Sequence, residues 1–393
     1  MKNNSFSLFK NLNERVYLVS LVGLLVPLFL RSTTIVPNDS TLHQLLFIAQ
    51  IFSMLVLLKI YILDRHSFKQ LLGITVILFF FLLSGYKAEY YDLFYYAIFV
   101  FGAYKVQLSK IVKVWLLISA ILTTVALFLA VIGMIPDRVQ AGQFNVRHAC
   151  GFLTPTDFGA RIFYLLLAYC LWRKMRLTNV ESWVICGLSA VLFYLTEARL
   201  DCFLLISLAL VGFYNSHKKR IGTAGLRSVN IFSDLFVCLS VAAAWLFNFQ
   251  NSILINADEF LSGRLHYGWI ALHKYGPTWL GQFIPQNGNG DIAVKQHEYF
   301  YIDSSYIQLL TIFGVVVTAF ILAGILYLQW KLLSYQAQAF LLYLAFVLIS
   351  SAFDQHLIDP SYNFVLLVLF AKSNLTQNSA GKEHEKVQKN LFD

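Results

Sequence analysis

The stretch Ile111–Ile135, IVKVWLLISAILTTVALFLAVIGMI, decides the fold, together with Pro136–Asp157, PDRVQAGQFNVRHACGFLTPTD, which follows at once. The first run carries one charge, Lys113, near its start. A helix needs about 20 apolar residues to cross the hydrocarbon core of a bilayer, so this run is long enough to span it. Lipid offers no hydrogen-bond partners, and a spanning segment must satisfy its own backbone, which selects a helix. The second run mixes Arg, Asp, Gln, His, Gly and Pro. It reads as a loop at one membrane face.

Runs of the first kind recur along the chain. Val16–Leu30, Leu42–Leu63, Gln70–Ser84 and Tyr91–Tyr104 precede it. Asp157–Trp172, Val180–Thr196, Leu200–Tyr214, Ile231–Asn248, Ser304–Trp330, Tyr335–Ser350 and Pro360–Ala371 follow. The expectation is an all-α, polytopic integral membrane protein with about 12 transmembrane helices. Composition agrees: 58% of the residues are hydrophobic and 13% are charged, against about 25% charged in a soluble domain. The first apolar stretch lacks a following small-residue cleavage site and reads as a retained helix.

The basic residues orient the chain. With both termini placed in the cytoplasm and the spans alternating, 21 of the 30 Lys and Arg residues fall inside, Lys59, Lys218, Lys219 and Arg220 among them. Nine fall outside, including Arg147, Arg161, Arg199, Arg264 and Lys295. That bias follows the positive-inside rule. It also absorbs the net charge of +9, which therefore implies no nucleic-acid partner. Residues 1–372 read as one multi-span domain with outer loops 136–157, 251–303 and 351–360. Residues 373–393 are polar and mixed in charge, and read as a disordered cytoplasmic tail.

The outer segments hold the polar chemistry. Arg147, Arg199 and Arg264 have the planar donor fork that grips phosphate. Glu197, Asp303, His356 and Asp359 can accept a proton. Each also has a plain structural reading that the sequence leaves open. Arg161 lies one turn into an apolar helix and either faces a cavity or snorkels. Glu197, Arg199 and Asp201 punctuate a helical hairpin, with like charges at i and i+4 that favour a break there. Arg264, in LSGRLHYGWIAL, fits an amphipathic interfacial helix. Asp303 fits a helix N-cap. His356 fits a structural histidine.

Several classes are disfavoured by missing motifs. GxxxxGK[ST], GxGxxG after a strand, GxSxG and HExxH do not occur. The five cysteines show no metal or disulfide spacing, and no DxD-type pair suggests a metal. No cofactor is expected.

Four patches, taken in order, resemble the Wzy-type polysaccharide polymerases of capsule and exopolysaccharide clusters, which are similar to O-antigen polymerases and ligases. They are Arg147–Thr156 (RHACGFLTPT), the turn Thr196–Arg199, the stretch from Leu261 to Gly281, and the pair Tyr301–Tyr306 with His356–Asp359, Tyr362 and Asn363. Thr154-Pro155-Thr156 stands where many members carry His-Pro-Asn, and Ala198 where Ser is common. The resemblance implies a GT-C-like membrane glycosyltransferase at the outer face of the bacterial cytoplasmic membrane. Its substrate would be an undecaprenyl-diphosphate-linked oligosaccharide repeat unit. Its partners would be membrane lipids and, in the same pathway, a chain-length regulator and a flippase. On that reading Arg147, Arg199, Arg264 and Arg161 meet the diphosphate, Tyr362 and Asn363 orient the acceptor, and His356 is the base, with Glu197 and Asp303 behind it. A ligase of finished glycans shares this logic. A flippase or transporter is the competing class, and would place its ionisable residues at the membrane midplane in broken helices.

Overall fold

A computed structural model describes residues 2–36, 39–217, 221–287 and 299–372, with side chains from Leu12 onward. The tail 373–393, the cytoplasmic assignments of Lys218, Lys219 and Arg220, and the outer assignment of Lys295 lie outside the described residues. Among these residues the chain is mostly helical, and eight helices are long and apolar enough to span a membrane. They are Leu12–Arg31, Asp39–Leu63, Phe68–Ala88, Leu108–Val131, Asn179–Thr196, Arg199–His217, Thr223–Trp245 and Val315–Ser334.

In chain order the elements are α1 (Lys2–Arg31), α2 (Asp39–Leu58, extended by a π-turn to Leu63), α3 (Phe68–Ala88), α4 (Asp92–Gly102), α5 (Leu108–Val131), β1 (Val139–Ala141), β2 (Val146–His148) and α6 (Pro155–Trp172). Then come α7 (Asn179–Thr196), α8 (Arg199–His217), α9 (Thr223–Trp245), α10 (Ser252–Phe260), α11 (Arg264–Ile270), α12 (Ser305–Gln308), α13 (Val315–Ser334) and α14 (Gln338–Ser350). The chain divides into two units. Unit 1 is Met1–Thr75, Tyr95–Arg220 and Pro360–Asp393; unit 2 is Val76–Phe94 and Ile221–Asp359.

The helix α5 shows how the pattern becomes a membrane surface. Its buried side carries Trp115, Ser119, Thr123 and Ala126. Leu117, Ile121, Val125 and Phe128 are exposed at helical spacing. Large apolar side chains outward, with small and polar ones inward, is the arrangement of a helix solvated by lipid. Packing in unit 1 sets α1 against α2 and α5, and α8 against α6 and α7.

Local signals fix the helix ends. Thr154 caps α6, accepting from the Asp157 N–H at 3.0 Å, with Pro155 at the first position. Thr178 and Glu181 form a reciprocal capping box on α7, as Ser/Thr-x-x-Glu sequences do. The expected break between the seventh and eighth apolar runs is present: α7 ends at Thr196 and Glu197 turns left-handed (φ 50°) before α8 starts at Arg199.

Five of the twelve apolar runs depart from a simple span, two of them because Asp92–Gly102 and Gln338–Ser350 form helices too short to count among the eight. Pro360–Ala371 is not a membrane helix: apart from a 3-10 turn at Val365–Val368 it is irregular, and it is buried in unit 1. Irregular backbone is tolerated at such depth only where protein satisfies it. Here Trp115 Nε1 donates to the Pro360 carbonyl at 2.8 Å, and Arg161 donates to the Ser361 carbonyl. Ser304–Trp330 is interrupted at Gly314 (φ 88°), where a side chain would strike the Leu280–Gly281 backbone. The freed groups bind that backbone instead: Val315 N–H donates to Thr278 O at 2.8 Å and Gln282 N–H to Ile312 O at 2.9 Å. α6 runs for 18 residues but, burying Asp157 and Arg161, is not among the eight spans. Lys59, counted inside although it falls within the Leu42–Leu63 run, is held by internal partners. It lies in the Asp39–Leu63 segment, buried, with Nζ 2.6 Å from Asp64 Oδ2 and 2.8 Å from the Gly102 carbonyl.

Candidate functional site

The candidate residues fall into three groups, two in unit 1 and one in unit 2. The first is built on an unexpected β-hairpin. β1 and β2 pair antiparallel with Val139 opposite His148, Gln140 opposite Arg147 and Ala141 opposite Val146. The hairpin is a small addition to an otherwise helical chain, and its two three-residue strands leave almost no alternation to read. Its tip is held from the α7–α8 turn. Glu197 Oε2 accepts the Gln143 N–H at 2.7 Å, while Oε1 accepts those of Phe144 and Asn145, both at 2.8 Å. Arg147 Nε donates to the Thr196 carbonyl at 2.7 Å, and Arg199 donates to Gln143 Oε1. Burial acts to raise the Glu197 carboxyl, but the three N–H groups, and then Arg147, hold it below the ordinary 4.5. A carboxylate so saturated is a weak base and a firm anchor. Thus Arg147, Glu197 and Arg199 are brought together, with one more positive charge than negative. Beside them His148 Nδ1 lies 2.7 Å from Asp137 Oδ2. Burial, and then Asp137, push the Cys150 thiol up to about 11, which leaves it unreactive.

The second group gathers Arg161 and Tyr362. Arg161 is fully buried. Its guanidinium lies 4.4 Å from the Phe29 ring centre and 3.6 Å from that of Tyr362. It donates to the Ser361 carbonyl, and to Ser32 Oγ at 3.2 Å. Tyr362 OH donates to Asp157 Oδ1 at 3.4 Å, and Asn363 Oδ1 accepts the Val365 N–H at 3.1 Å. Tyr362 is 2% exposed and Asn363 0%. In this conformation Arg161, Tyr362 and Asn363 hold the irregular segment in place and offer no open surface to a sugar or a phosphate.

The third group is in unit 2. Asp258 Oδ1 accepts the N–H groups of Leu265 and His266 at 2.8 and 3.0 Å, which fixes the start of α11. The preceding Ser262 and Gly263 are both left-handed. This turn sets Arg264 between two carboxylates: Nε is 3.7 Å from Asp303 Oδ2 and Nη2 is 3.4 Å from Asp354 Oδ1. Asp303 is not the helix cap that its position suggests. α12 begins at Ser305, and Ser304 holds the cap position. The Asp303 side chain is 26% open and otherwise buried among its neighbours. That burial raises its pKa above the ordinary 3.8, and Arg264 draws it partly back.

Ser305 fastens the third group. Its N–H and hydroxyl both donate to the Asp354 carbonyl, and its hydroxyl oxygen accepts the Leu357 N–H at 3.2 Å. Tyr301 donates to Gln355 Oε1, which also accepts from Gln308 at 3.3 Å. His356 is 4% exposed; Asp359 is partly open. Asp354, Ser305, Gln308 and Gln355 were not among the candidates named from the sequence. Only the alternation of Asp, Ser and Gln around two helix ends marked them.

Comparisons with protein-family models, with curated proteins and with solved structures returned no match for this chain.

Proposed function

We propose that the chain is a membrane glycosyltransferase that joins oligosaccharide units carried on a polyprenyl diphosphate, the polysaccharide-polymerase reaction. The observation that carries the reading is Arg264 beside Asp303: a planar cation next to a partly open carboxylate with raised proton affinity. In the reaction the acceptor hydroxyl attacks the donor's anomeric carbon. A new C–O bond forms there, the bond from that carbon to the diphosphate oxygen breaks, and the lipid diphosphate leaves with the electron pair. The acceptor proton passes to Asp303. Arg264 steadies the charge that develops on the leaving oxygen, which a preorganised donor does best.

This assignment reorders the candidate bases. Glu197 is held ionised below the usual range by three N–H groups and accepts a proton poorly. His356 is buried, which places it behind Asp303. Arg147 and Arg199 serve as an anion-holding pair on unit 1, consistent with that group's positive balance. The proposed orientation puts these loops at the outer face, and the donor's diphosphate bond supplies the energy without a nucleotide. A ligase of finished glycans would use the same groups and differs in its acceptor. Transport is less well supported, since buried Lys59 and Arg161 are both engaged by internal partners.

The test is the purified chain in proteoliposomes with a synthetic polyprenyl-diphosphate oligosaccharide. Dimers of the repeat are expected, with loss of about 10²–10³-fold in rate for Arg264→Lys. Movement of the intact donor between leaflets without dimers would replace this reading with transport.

A further inference from the structure

The β1–β2 hairpin has one face whose use the proposed reaction does not explain. Residues opposite each other in an antiparallel pair share a face. Gln140 and Arg147 share one face, and Arg147 ties it to the Thr196 carbonyl. Val139, Ala141, Val146 and His148 share the other. Val139 and Val146 are 47% and 55% exposed, and Phe144 at the tip is 68% exposed. Four anchoring hydrogen bonds, three to Glu197 and one to Thr196, hold the hairpin so that this apolar face points away from the protein.

The surface that continues this face is the lipid side of α5. The exposed row Leu117, Ile121, Val125 and Phe128 runs on through Val131, Ile132 and Met134, all exposed, into the hairpin five residues later. We infer that the Val139–Phe144–Val146 face is seated in the bilayer interface at that end of α5, as an anchored membrane finger. Its occupant is lipid, because exposed apolar side chains continue from a spanning helix to the hairpin tip, interrupted only at Asp137 and Arg138, whose charges suit the headgroup zone.

Depth follows from hydrogen bonding. A two-stranded ribbon has two open edges, and open edges are not tolerated in the hydrocarbon region. The finger therefore rests among headgroups and upper acyl chains. Aromatic and β-branched side chains are well suited to that zone. The arrangement holds whatever reaction the chain performs, and needs only that α5 is a membrane helix.

The experiment uses the full chain in nanodiscs with lipids brominated either high or low on the acyl chain. Phe144→Trp adds one emitter at the tip, and the wild-type signal is subtracted. The added emission should be blue-shifted and quenched more by the high bromine than by the low. No quenching by either lipid, whether the tip is wet or covered by a second protein, would overturn the inference. Stronger quenching by the low bromine would overturn it too, since it would place the tip in the hydrocarbon. If Phe144→Trp fails to fold, Val146→Cys carrying an environment-sensitive dye gives the same readout. Phe144→Trp that folds, stays in detergent as wild type does, and shows the expected ordering is the supporting result.

Discussion

Asp303 and Arg161 show how burial divides residues that look alike in a sequence. Both are charged groups in apolar surroundings, and desolvating a charge is costly unless a partner compensates. Arg161 is compensated by two aromatic faces, a carbonyl and two hydroxyls, with only its Nε left over, so its worth is structural. Arg161→Lys keeps the charge but loses the planar stack. Stability should fall by about 2–4 kcal/mol, from the lost cation–π contacts and an unmatched carbonyl; thermal unfolding in detergent measures it. A phosphate-binding role would instead lower activity at unchanged stability. Asp303 is compensated only in part, so its proton affinity remains tunable. If it is the base, the transfer rate should climb with pH as Asp303 ionises, through a pKa above 3.8. Asp303→Asn should remove that limb and about 10²–10⁴-fold of rate. A full rate in Asp303→Asn, measured in the reconstituted assay, would return His356 to first place.

At the scale of elements the tip of the hairpin is held chiefly by one carboxylate. Glu197 is ionised more readily in the folded chain than in the unfolded one, so it stabilises the anchor at pH values above the ordinary carboxylate range. As pH falls through its lowered pKa, below 4.5, that contribution is lost. A spin label at the tip should therefore be rigid at neutral pH and loosen on acidification. Glu197→Gln should be loose at every pH. A label equally rigid in both proteins would remove Glu197 as the anchor. This dependence explains what could be read beforehand. Ile111–Ile135 was legible as a helix because its signal is local: an unbroken apolar run with one charge. The hairpin was not, because its pairing is imposed by a carboxylate more than 50 positions away. The Arg264–Asp354 contact spans 90 positions. Asp303 beside Arg264, and Arg147 beside Arg199, were recognisable as chemistry, but which of them meet depends on packing. Pro360–Ala371 misled for the opposite reason. It is as apolar as a span, and only Trp115 and Arg161, far off in the chain, supply the partners that let its backbone stay irregular.

For the whole molecule, sidedness is the property that a function at the outer face requires. The proposed orientation, read from the charge bias, puts Arg264 and the hairpin on the outer side. Arg264→Cys, or Gln143→Cys at the hairpin, should react with an impermeant thiol reagent added to intact cells, and labelling of both only after lysis would invert the proposed topology. The division into units adds a second constraint. Unit 1 is discontinuous: the whole of Ile221–Asp359 is threaded between its body and the Pro360 segment that completes it. The Phe29–Arg161–Tyr362 stack and the Trp115 hydrogen bond thus join parts made early to a part made late. During synthesis, α5 and α6 must wait in the bilayer with Trp115 and Arg161 still exposed to water or lipid, while roughly two hundred further residues leave the ribosome. Ribosome-stalled chains ending before Ser361 should accordingly be more open to protease around α6 than chains stalled well beyond it. Biogenesis thus ends where unit 1 closes: Arg161 gains the Ser361 carbonyl and the Tyr362 face only when the last segment arrives.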